Sequence, residues 1–184
     1  MNSSYLTNPI EFLISTLFSL YILALMLRFL LGMVRADFYN PVSQFLVRIT
    51  NPLLVPLRKL IPGFGKIDTA AIVLMLLLQL AMLVIIVMLR GASVPVLPLL
   101  LSAVGELVSL AINVFLVAIF VQVILSWINP GSYNPMNSLL NSLTSPVLRP
   151  IQRILPPFSG IDLSPLFALI GLQVLRMLIV PLLG

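Results

Sequence analysis

The chain repeats itself at a spacing of 94 residues, so that residue 39 aligns with residue 133, and this repeat limits the fold more than any other feature. The alignment needs no gap. Tyr39-Asn40-Pro41 meets Tyr133-Asn134-Pro135, and Ile67-Asp68 meets Ile161-Asp162. Three prolines of each half also match, which are Pro52, Pro56 and Pro62 in the first half and Pro146, Pro150 and Pro156 in the second. A fixed internal period of this kind indicates one supersecondary unit used twice.

Each half contains two apolar stretches that are long enough to cross a membrane. Hydrophobic residues make up 60% of the 184 residues and charged residues only 8%, whereas a soluble domain has about 25% charged residues. About 20 apolar residues cross the hydrocarbon core, and residues 10–33, 69–89, 104–128 and 163–183 meet this need. Because proline breaks regular helix, residues 91–103 with Pro95 and Pro98 are predicted to form a short connector.

An even number of crossings separates the two copies, so both have the same orientation and are related by an axis along the membrane normal. The predicted fold is therefore all-α, with four transmembrane helices arranged as two parallel helix–elbow–helix repeats. The first repeat covers residues 1–90, with its elbow at 35–68, and the second covers residues 91–184, with its elbow at 129–162. We expect the amphipathic helices of the elbows to lie at the cytoplasmic surface of the membrane.

Positive charges predict which side of the membrane each connection faces. The first elbow holds five Lys or Arg residues and the second holds two, whereas residues 1–9 and 91–103 hold none. Because short connections rich in Lys and Arg stay in the cytoplasm, both elbows are predicted to be cytoplasmic and both termini to lie outside. Residues 1–9 lack the basic segment of a secretory signal, so the first apolar stretch is predicted to remain in the mature protein.

Both elbows carry an apolar stripe at helical spacing, with cations on the opposite face. A segment of this kind lies in the plane of the membrane, with its cations among anionic headgroups. The residues predicted to contact lipid or a partner protein are Arg58, Lys59, Arg149 and Arg153. Two other roles stay open for the elbows, which are a strut that only sets the spacing of the spans and a re-entrant segment that lines a pore.

The prolines of the elbows predict that neither elbow forms one long helix. Pro56 and Pro150 interrupt the apolar stripe, and Pro62 and Pro156 end it. Because proline cannot donate the backbone hydrogen bond of a helix, each elbow is predicted to be a set of short helical turns.

The end of the second elbow carries a recognisable sequence. Residues 145–165 read Ser-Pro-Val-Leu-Arg-Pro-Ile-Gln-Arg-Ile-Leu-Pro-Pro-Phe-Ser-Gly-Ile-Asp-Leu-Ser-Pro. This segment resembles the hallmark of the YggT family of small bacterial membrane proteins, and the resemblance covers nearly the whole chain. The first copy departs from the hallmark, because Lys66-Ile67-Asp68-Thr69-Ala70-Ala71 replaces its ending. The resemblance implies an inner-membrane protein with links to osmotic tolerance, ion homeostasis and membrane-complex assembly.

Asp68 and Asp162 precede the second apolar helix of each repeat. A carboxylate at this place accepts hydrogen bonds from free backbone N–H groups and meets the positive end of the helix dipole. We therefore predict that both carboxylates cap helices. A cation site built from the two carboxylates together is the alternative.

Eight strongly polar residues lie inside the predicted spans, and they are Glu11, Arg28, Gln79, Glu106, Asn113, Gln122, Gln173 and Arg176. The four amides among them are predicted to make hydrogen bonds between helices. An ionised side chain near the bilayer centre costs at least about 2.5–3.5 kcal/mol, so it pairs, snorkels or lines a wet cavity. Arg28 is expected to snorkel or to reach Asp68 or Asp162.

Arg176 is predicted to pair with Glu11 or Glu106, because all three are expected at the same depth. A pair of this kind holds a helix bundle together. A role in an ion or proton path is the alternative, with Gln79 and Gln173, which align with each other in the repeat, as the central polar contact.

The chain lacks the residue types that several classes of enzyme and metal site require. The chain contains no His and no Cys, which excludes imidazole acid–base catalysis, thiol chemistry and Cys/His metal sites. It also has no glycine-rich phosphate loop, so we predict no catalytic residues, no cofactor and no bound metal. The dispersed cations of the elbows suit a membrane surface as well as they suit phosphates, and nucleic acid is not predicted as the primary ligand.

Two functions fit what is left. The first is a non-catalytic scaffold or assembly factor, linked to osmotic and ion homeostasis, whose elbows contact anionic lipids or a membrane protein partner. The second is a component of ion or small-solute transport. Four helices seldom enclose a pore, so transport would require a homo-oligomer or a partner.

Overall fold

The part of the chain that the structure describes contains six helices. This structure is a computed structural model that describes residues 4–65, 67–128, 134–155 and 162–183, with side chains from residue 8 onward. The helices are α1 (Ser4–Met33), α2 (Pro41–Leu60), α3 (Thr69–Leu89), α4 (Val96–Ile128), α5 (Pro135–Ile154) and α6 (Ser164–Leu183). Lys66, Tyr133, Pro156 and Ile161, which the repeat and the elbows include, lie outside the described residues.

Four of the described helices are long and apolar enough to cross a membrane. They are Asn8–Met33 of α1, all of α3, all of α4 and all of α6. Within the described residues the chain forms no β-strand, only an isolated bridge between Phe64 and Ile67. The predicted all-α class with four spans in two repeats is confirmed, whereas the division of the chain at residue 90 stays a prediction.

The connector predicted at residues 91–103 is wrong, because α4 already begins at Val96. Pro95 precedes the helix, and Pro98 lies in its first turn. The first N–H groups of a helix have no partner within it, so a proline in this turn removes no helical hydrogen bond. With 33 residues, α4 is about 50 Å long and exceeds the hydrocarbon thickness of about 30 Å.

The prediction of separate helical turns in the elbows is also wrong. α2 and α5 are each one continuous helix of 20 residues, with two prolines inside each. Pro52 and Pro56 are exposed, and because they are four residues apart they share one face of α2. The carbonyl groups that lose their hydrogen bonds therefore lie on the exposed face, where water can bond them. The prolines of α5 are exposed in the same way.

The two elbow helices lie on the same side of the bundle. Asn40 caps α2, because its Oδ1 accepts from the backbone N–H of Val42 at 3.0 Å, and its Nδ2 donates to the carbonyl of Pro135 at 2.7 Å. Asn134 caps α5 with the same geometry, accepting from the N–H of Met136 at 3.0 Å. We call this side, where α1 and α4 end, the elbow side.

A tight turn connects α2 to α3. Phe64 and Ile67 exchange two backbone hydrogen bonds of 3.1 and 2.9 Å. Gly65 has a φ of 61°, in the left-handed region that only glycine enters without strain. The turn places Asp68 directly before the first residue of α3.

Both repeats pack their helices in one pattern. α1 lies against α3 as α4 lies against α6, and α2 contacts α1 and α3 as α5 contacts α4 and α6. The repeats meet mainly where α3 packs on α4, and within the described residues no contact of similar extent joins α6 to α1. The largest buried apolar cluster, which includes Leu25 and Leu54, lies among α1 to α5.

Candidate functional site: the two elbows

In the first elbow a buried threonine holds an arginine of the first span. Thr50 of α2 is completely buried. Its Oγ1 accepts a hydrogen bond from Arg28 Nη1 at 2.6 Å and donates one to the carbonyl of Leu46 at 2.6 Å. Arg28 also donates to the carbonyl of Val47 at 3.4 Å. The guanidinium of Arg28 therefore ties α1 to α2.

An ion pair closes the other end of the first elbow. Arg58 Nη2 donates to Asp68 Oδ2, and Asp68 Oδ1 accepts from the backbone N–H of Ala71 at 3.2 Å. Asp68 thus caps α3 and binds α2 at once. Its ion pair is with Arg58 and not with Arg28, although both arginines line the same cavity of about 290 Å³ on the elbow side.

The second elbow repeats these contacts with glutamines in place of the two arginines. Gln122 Oε1 accepts from the hydroxyl of Thr144, and Gln122 Nε2 donates to Asn141 Oδ1 at 2.7 Å. At the other end, Gln152 Nε2 donates to Asp162 Oδ2 at 2.9 Å. Gln122 and Gln152 occupy the places that Arg28 and Arg58 occupy one repeat earlier.

Asp162 is stabilised as a carboxylate at the start of α6. Its Oδ1 accepts from the backbone N–H of Ser164 at 2.8 Å. Partial burial acts to raise the pKa of Asp162, but the interactions with Ser164 and with the amide of Gln152 outweigh burial and hold that pKa below its usual range. Hydrogen bonds that favour the charged form have this effect on a carboxyl group.

Three of the four cations predicted to contact lipid or a partner are exposed and make no ion pair with a described residue. They are Lys59, Arg149 and Arg153, and the fourth, Arg58, is engaged by Asp68. Arg149 and Arg153 line a cavity of about 710 Å³ together with polar residues of α5. The two elbows therefore present their cations differently.

The charged residues within the spans have other partners than predicted. Arg176 Nη1 donates to Asn113 Oδ1 at 3.0 Å, so its predicted pairing with Glu11 or Glu106 is wrong. Glu11 forms a bidentate pair with Arg90, with N–O distances of 2.7 to 3.1 Å.

Helix position explains these partners. α1 packs on α3, so Glu11 near the start of α1 meets Arg90 at the end of α3, while α6 has no extended contact with α1. Glu106 accepts from Gln79 Nε2 across the α3–α4 contact. It lies seven residues before Asn113, and this separation is about 10 Å along α4, so Arg176 meets Asn113.

The two aligned glutamines do not form a common polar centre. Gln79 is 5% exposed and binds Glu106, whereas Gln173 is half-buried and has no hydrogen-bond partner among the described residues. Asp68 and Asp162 also bind within their own repeats. Within the described parts of the chain, no group of three acidic residues is placed to hold a metal ion.

Sequence reasoning missed the residues that hold the elbows to the spans. Thr50 and Thr144 are completely buried, and each joins its elbow helix to the preceding span. The repeat contained the signal, because the threonines align with each other and their partners Arg28 and Gln122 align as well. A polar residue aligned with another polar residue inside an apolar span points to a shared contact.

Known proteins match nearly the whole chain in sequence. The family model described as CCB3/YggT matches twice, at residues 7–89 and 101–183, with the same spacing of 94 residues as the internal repeat. No solved structure matches the chain.

Three bacterial relatives align with more than nine-tenths of the chain. The uncharacterized protein PA0392 of Pseudomonas aeruginosa is 48% identical over 171 residues, which are 92% of this chain and 87% of that protein. The uncharacterized protein YggT of Escherichia coli K12 is 37% identical over 172 residues, 92% of this chain and 88% of the relative. An uncharacterized protein of Haemophilus influenzae is 38% identical over 171 residues, 93% and 91% of the two chains. The chain therefore belongs to the CCB3/YggT family.

Proposed function

We propose that the protein is a non-catalytic scaffold of a bacterial inner membrane, with its elbows resting on the cytoplasmic leaflet. One observation carries this proposal. α2 and α5 meet at their N-terminal ends on the elbow side, where the hydrogen bond from Asn40 to the carbonyl of Pro135 joins them. Their apolar residues pack on the spans, while Lys59, Arg149 and Arg153 stay exposed. Together the elbow helices form one platform with a basic outer surface.

The platform suits an anionic leaflet for electrostatic reasons. Each cation close to a membrane surface of this kind contributes about 1 kcal/mol, and salt screens the attraction within about 8 Å at physiological ionic strength. Lys59, Arg149 and Arg153, which make no ion pair with a described residue, all contribute to this attraction. The proposed role is therefore to hold the spans in a fixed arrangement at the leaflet and to offer the platform to a membrane protein partner.

The contacts within the spans support a scaffold more than a transporter. Arg28 binds Thr50, and Arg176 binds Asn113. Each of these polar contacts joins two helices, as expected where polar groups hold a bundle together in lipid. A residue that moves ions or protons would instead need an open, wet path.

Cysteine labelling tests the orientation of the platform. The chain has no cysteine, so the single variants Ser93→Cys, Lys59→Cys and Arg153→Cys need no altered background. In intact cells, a membrane-impermeant maleimide is expected to label position 93, and positions 59 and 153 only after permeabilisation. Labelling of 59 and 153 from opposite faces of the membrane contradicts the proposal.

A fluorescence experiment tests the contact with lipid. Val55 is exposed on α2, and a Val55→Cys variant carrying an environment-sensitive dye reports on the surroundings of the platform. We expect the dye to enter a less polar environment in anionic vesicles than in neutral ones, with the difference lost at high salt. If the emission maximum of the dye does not change with lipid charge or with salt, the elbow does not contact the anionic leaflet.

The link to osmotic and ion homeostasis is tested in cells. A strain without the protein is expected to regain tolerance of osmotic shock with the wild-type chain and to lose it with the triple variant Lys59→Gln, Arg149→Gln, Arg153→Gln. The charge-preserving triple variant Lys59→Arg, Arg149→Lys, Arg153→Lys is the matched control and is expected to restore tolerance. If the wild-type chain and both triple variants restore osmotic tolerance equally, the cations of the platform are not needed for osmotic tolerance.

Transport by an oligomer is the second candidate function, and the polar contact between the repeats favours it. Gln79 and Glu106 meet where α3 packs on α4. Potassium and sodium flux into liposomes that contain the full chain separates the two candidates. A flux that Glu106→Gln abolishes supports transport, whereas no flux above that of empty liposomes supports the scaffold.

A further inference from the structure

The polar side of α5 lines a cavity. The cavity has a volume of about 710 Å³, within the range of about 300–1,000 Å³ that is typical of small-molecule sites. Val34, just after α1, contributes one wall. The rest is mainly a row of α5 residues spaced four apart, which are Asn137, Asn141, Ser145, Arg149 and Arg153.

One end of this cavity is strongly positive. Arg149 and Arg153 are one helical turn apart, and neither makes an ion pair with a described residue. None of the described residues that line the cavity is acidic. Two neighbouring guanidinium groups without a carboxylate match a phosphate group, which arginine binds through paired hydrogen bonds.

The other end offers oxygen atoms that accept hydrogen bonds. Ser142 donates its hydroxyl proton to the carbonyl of Ser138 at 2.9 Å, and Ser145 donates to the carbonyl of Asn141. Each of these hydroxyl oxygens keeps lone pairs that can accept from a ligand. A ligand that fits both ends therefore carries a phosphate next to hydroxyl groups.

The chemistry of the cavity also disfavours an ammonium group. A positively charged headgroup would meet Arg149 and Arg153 without a lining carboxylate to balance it. Phosphoethanolamine and phosphoserine headgroups both carry an ammonium, whereas phosphoglycerol carries two hydroxyls. Like charges close together repel, so phosphoglycerol is preferred to phosphoethanolamine. Phosphoserine has a carboxylate that balances its ammonium, and the preference over phosphoserine rests on the two hydroxyls of phosphoglycerol, which match the polar side chains of α5.

Exposed apolar residues around α5 favour a lipid over a soluble ligand. Trp127 and Ile128 at the end of α4 are 82% and 73% exposed, and Ile154 at the end of α5 is 79% exposed. An exposed tryptophan at the end of a span is typical of the membrane–water interface. A headgroup bound in the cavity would have its acyl chains next to these residues.

The first elbow lacks the corresponding features. Val47 and Val55 of α2 align with Asn141 and Arg149 of α5, and so replace an amide and a guanidinium with apolar groups. Arg58 of the first elbow is already engaged by Asp68. The two elbows are therefore matched in position but not in chemistry.

We infer that the cavity on α5 binds the phosphoglycerol headgroup of an anionic phospholipid, with Arg149 and Arg153 on the phosphate and the asparagine and serine row on the hydroxyls. This inference rests on the proposed position of the elbows at the leaflet. It adds a selective site in the second elbow to the general attraction of the platform for anionic lipid.

Competition between two anionic lipids tests the inference. The full chain in detergent is mixed with equal amounts of phosphatidylglycerol and phosphatidylserine, and native mass spectrometry measures which lipid binds first. Both lipids carry one net negative charge, so charge attraction alone gives a ratio near one. We expect a preference of about two- to tenfold for phosphatidylglycerol, which is what one or two additional hydrogen bonds provide.

Paired substitutions test whether the preference for phosphatidylglycerol arises from α5. Arg149→Gln with Arg153→Gln is expected to bring the ratio close to one. The matched control Arg48→Gln with Lys59→Gln removes the same charge from α2 and is expected to weaken both lipids equally, keeping the wild-type ratio. Ser142→Ala with Ser145→Ala leaves the charge unchanged and is expected to lower the ratio. An unchanged ratio in both α5 variants overturns the inference.

The outcomes separate this inference from the proposed function. If wild-type protein binds both anionic lipids equally but better than phosphatidylcholine, the selective site is wrong and the basic platform stands. If neither anionic lipid binds better than phosphatidylcholine, the lipid contact of the platform is wrong as well. Displacement of bound lipid by soluble glycerol phosphate contradicts a lipid ligand, because the acyl chains should keep the lipid in place.

Discussion

The first and the second repeat place different side chains at the same contacts. Where Arg28 binds Thr50 in the first, Gln122 binds Thr144 in the second. Where an ion pair joins α2 to the start of α3, a hydrogen bond from Gln152 joins α5 to Asp162. The first elbow uses arginines for these contacts, and the second uses neutral glutamines at the aligned positions.

Within the spans the pattern reverses. Ser19 of α1 and Met82 of α3 are in contact in the first repeat, and at the aligned positions of the second repeat Asn113 binds Arg176. The geometry of a contact therefore survives when its chemistry changes. Arg149 and Arg153 make no ion pair or hydrogen bond with a described residue, so among those residues the contacts that hold the second elbow do not use them.

The largest expected effect comes from separating the Asn113–Arg176 pair. Asn113→Ala takes the hydrogen-bond acceptor from the guanidinium of Arg176 inside a span, and we expect a loss of up to about 3 kcal/mol in the free energy of unfolding, the upper end for a hydrogen bond to a charged group. Unfolding by SDS titration, followed by circular dichroism, measures the loss. The double variant Asn113→Ser, Arg176→Met restores the side chains of the first repeat and is expected to recover most of the stability. A double variant as unstable as the single one contradicts the equivalence of the two contacts.

Removing the buried hydroxyl groups compares the elbows directly. Thr50→Val takes the acceptor from a charged group and is expected to cost about 1.5–3 kcal/mol, whereas Thr144→Val takes a neutral partner from Gln122 and should cost about 0.5–1.5 kcal/mol. The same SDS titration measures both variants, and each serves as the control for the other. Equal costs would mean that the charge of Arg28 does not matter at this contact.

A smaller difference is expected between the aligned glutamines. Gln79→Leu removes the hydrogen bond to Glu106 and should cost about 0.6 kcal/mol, the average for such bonds in membranes. Gln173→Leu removes no hydrogen bond with a described residue and should leave the unfolding midpoint unchanged or slightly higher. A larger loss from Gln173→Leu would show that this side chain has a partner in a neighbouring molecule.

The smallest effect is confined to acidic solution. The pKa of Asp162 is lower in the folded protein than its usual value, so the stability that it contributes is present above a pH of about 4 and is lost as the pH falls through the lowered pKa. Asp162→Asn is expected to reduce the acid-induced fall of the unfolding midpoint. Gln152→Leu is the control, because it keeps the carboxylate but removes one of the hydrogen bonds that lower its pKa. An identical acid profile in all three proteins contradicts this role of Asp162.

The sequence predicted the architecture better than the details of the elbows. Four apolar stretches and a gapless repeat were sufficient for the fold class, because apolar length and internal spacing are properties of the chain alone. The elbow helices were predicted as broken, since Pro52 and Pro56 interrupt the pattern. The two prolines are compatible with a continuous helix because they lie on its exposed face. The sequence alone does not show which face of the helix is exposed.

The partners of the charged residues required the structure for a different reason. The spacing along the chain predicted Arg176 at the level of Glu11 and Glu106, but the end of α6 at Leu183 lies against Gly105 of α4. The position of α4 against α3 and α6 therefore decides that Glu106 meets Gln79 while Arg176 meets Asn113. The cavity of α5 also depends on the first repeat, because Val34, just after α1, forms part of its wall.

Hydropathy and the spacing of 94 residues by themselves determined that this chain forms two copies of one membrane hairpin with a basic elbow. The number and the period of apolar residues along the chain determine which segments are buried in lipid or in the protein core, so the sequence is sufficient to predict them. Tertiary structure decided which polar atoms meet and which cations stay free. Hydrogen bonds act over about 3 Å, and only the depth and rotation of packed helices place two atoms that close.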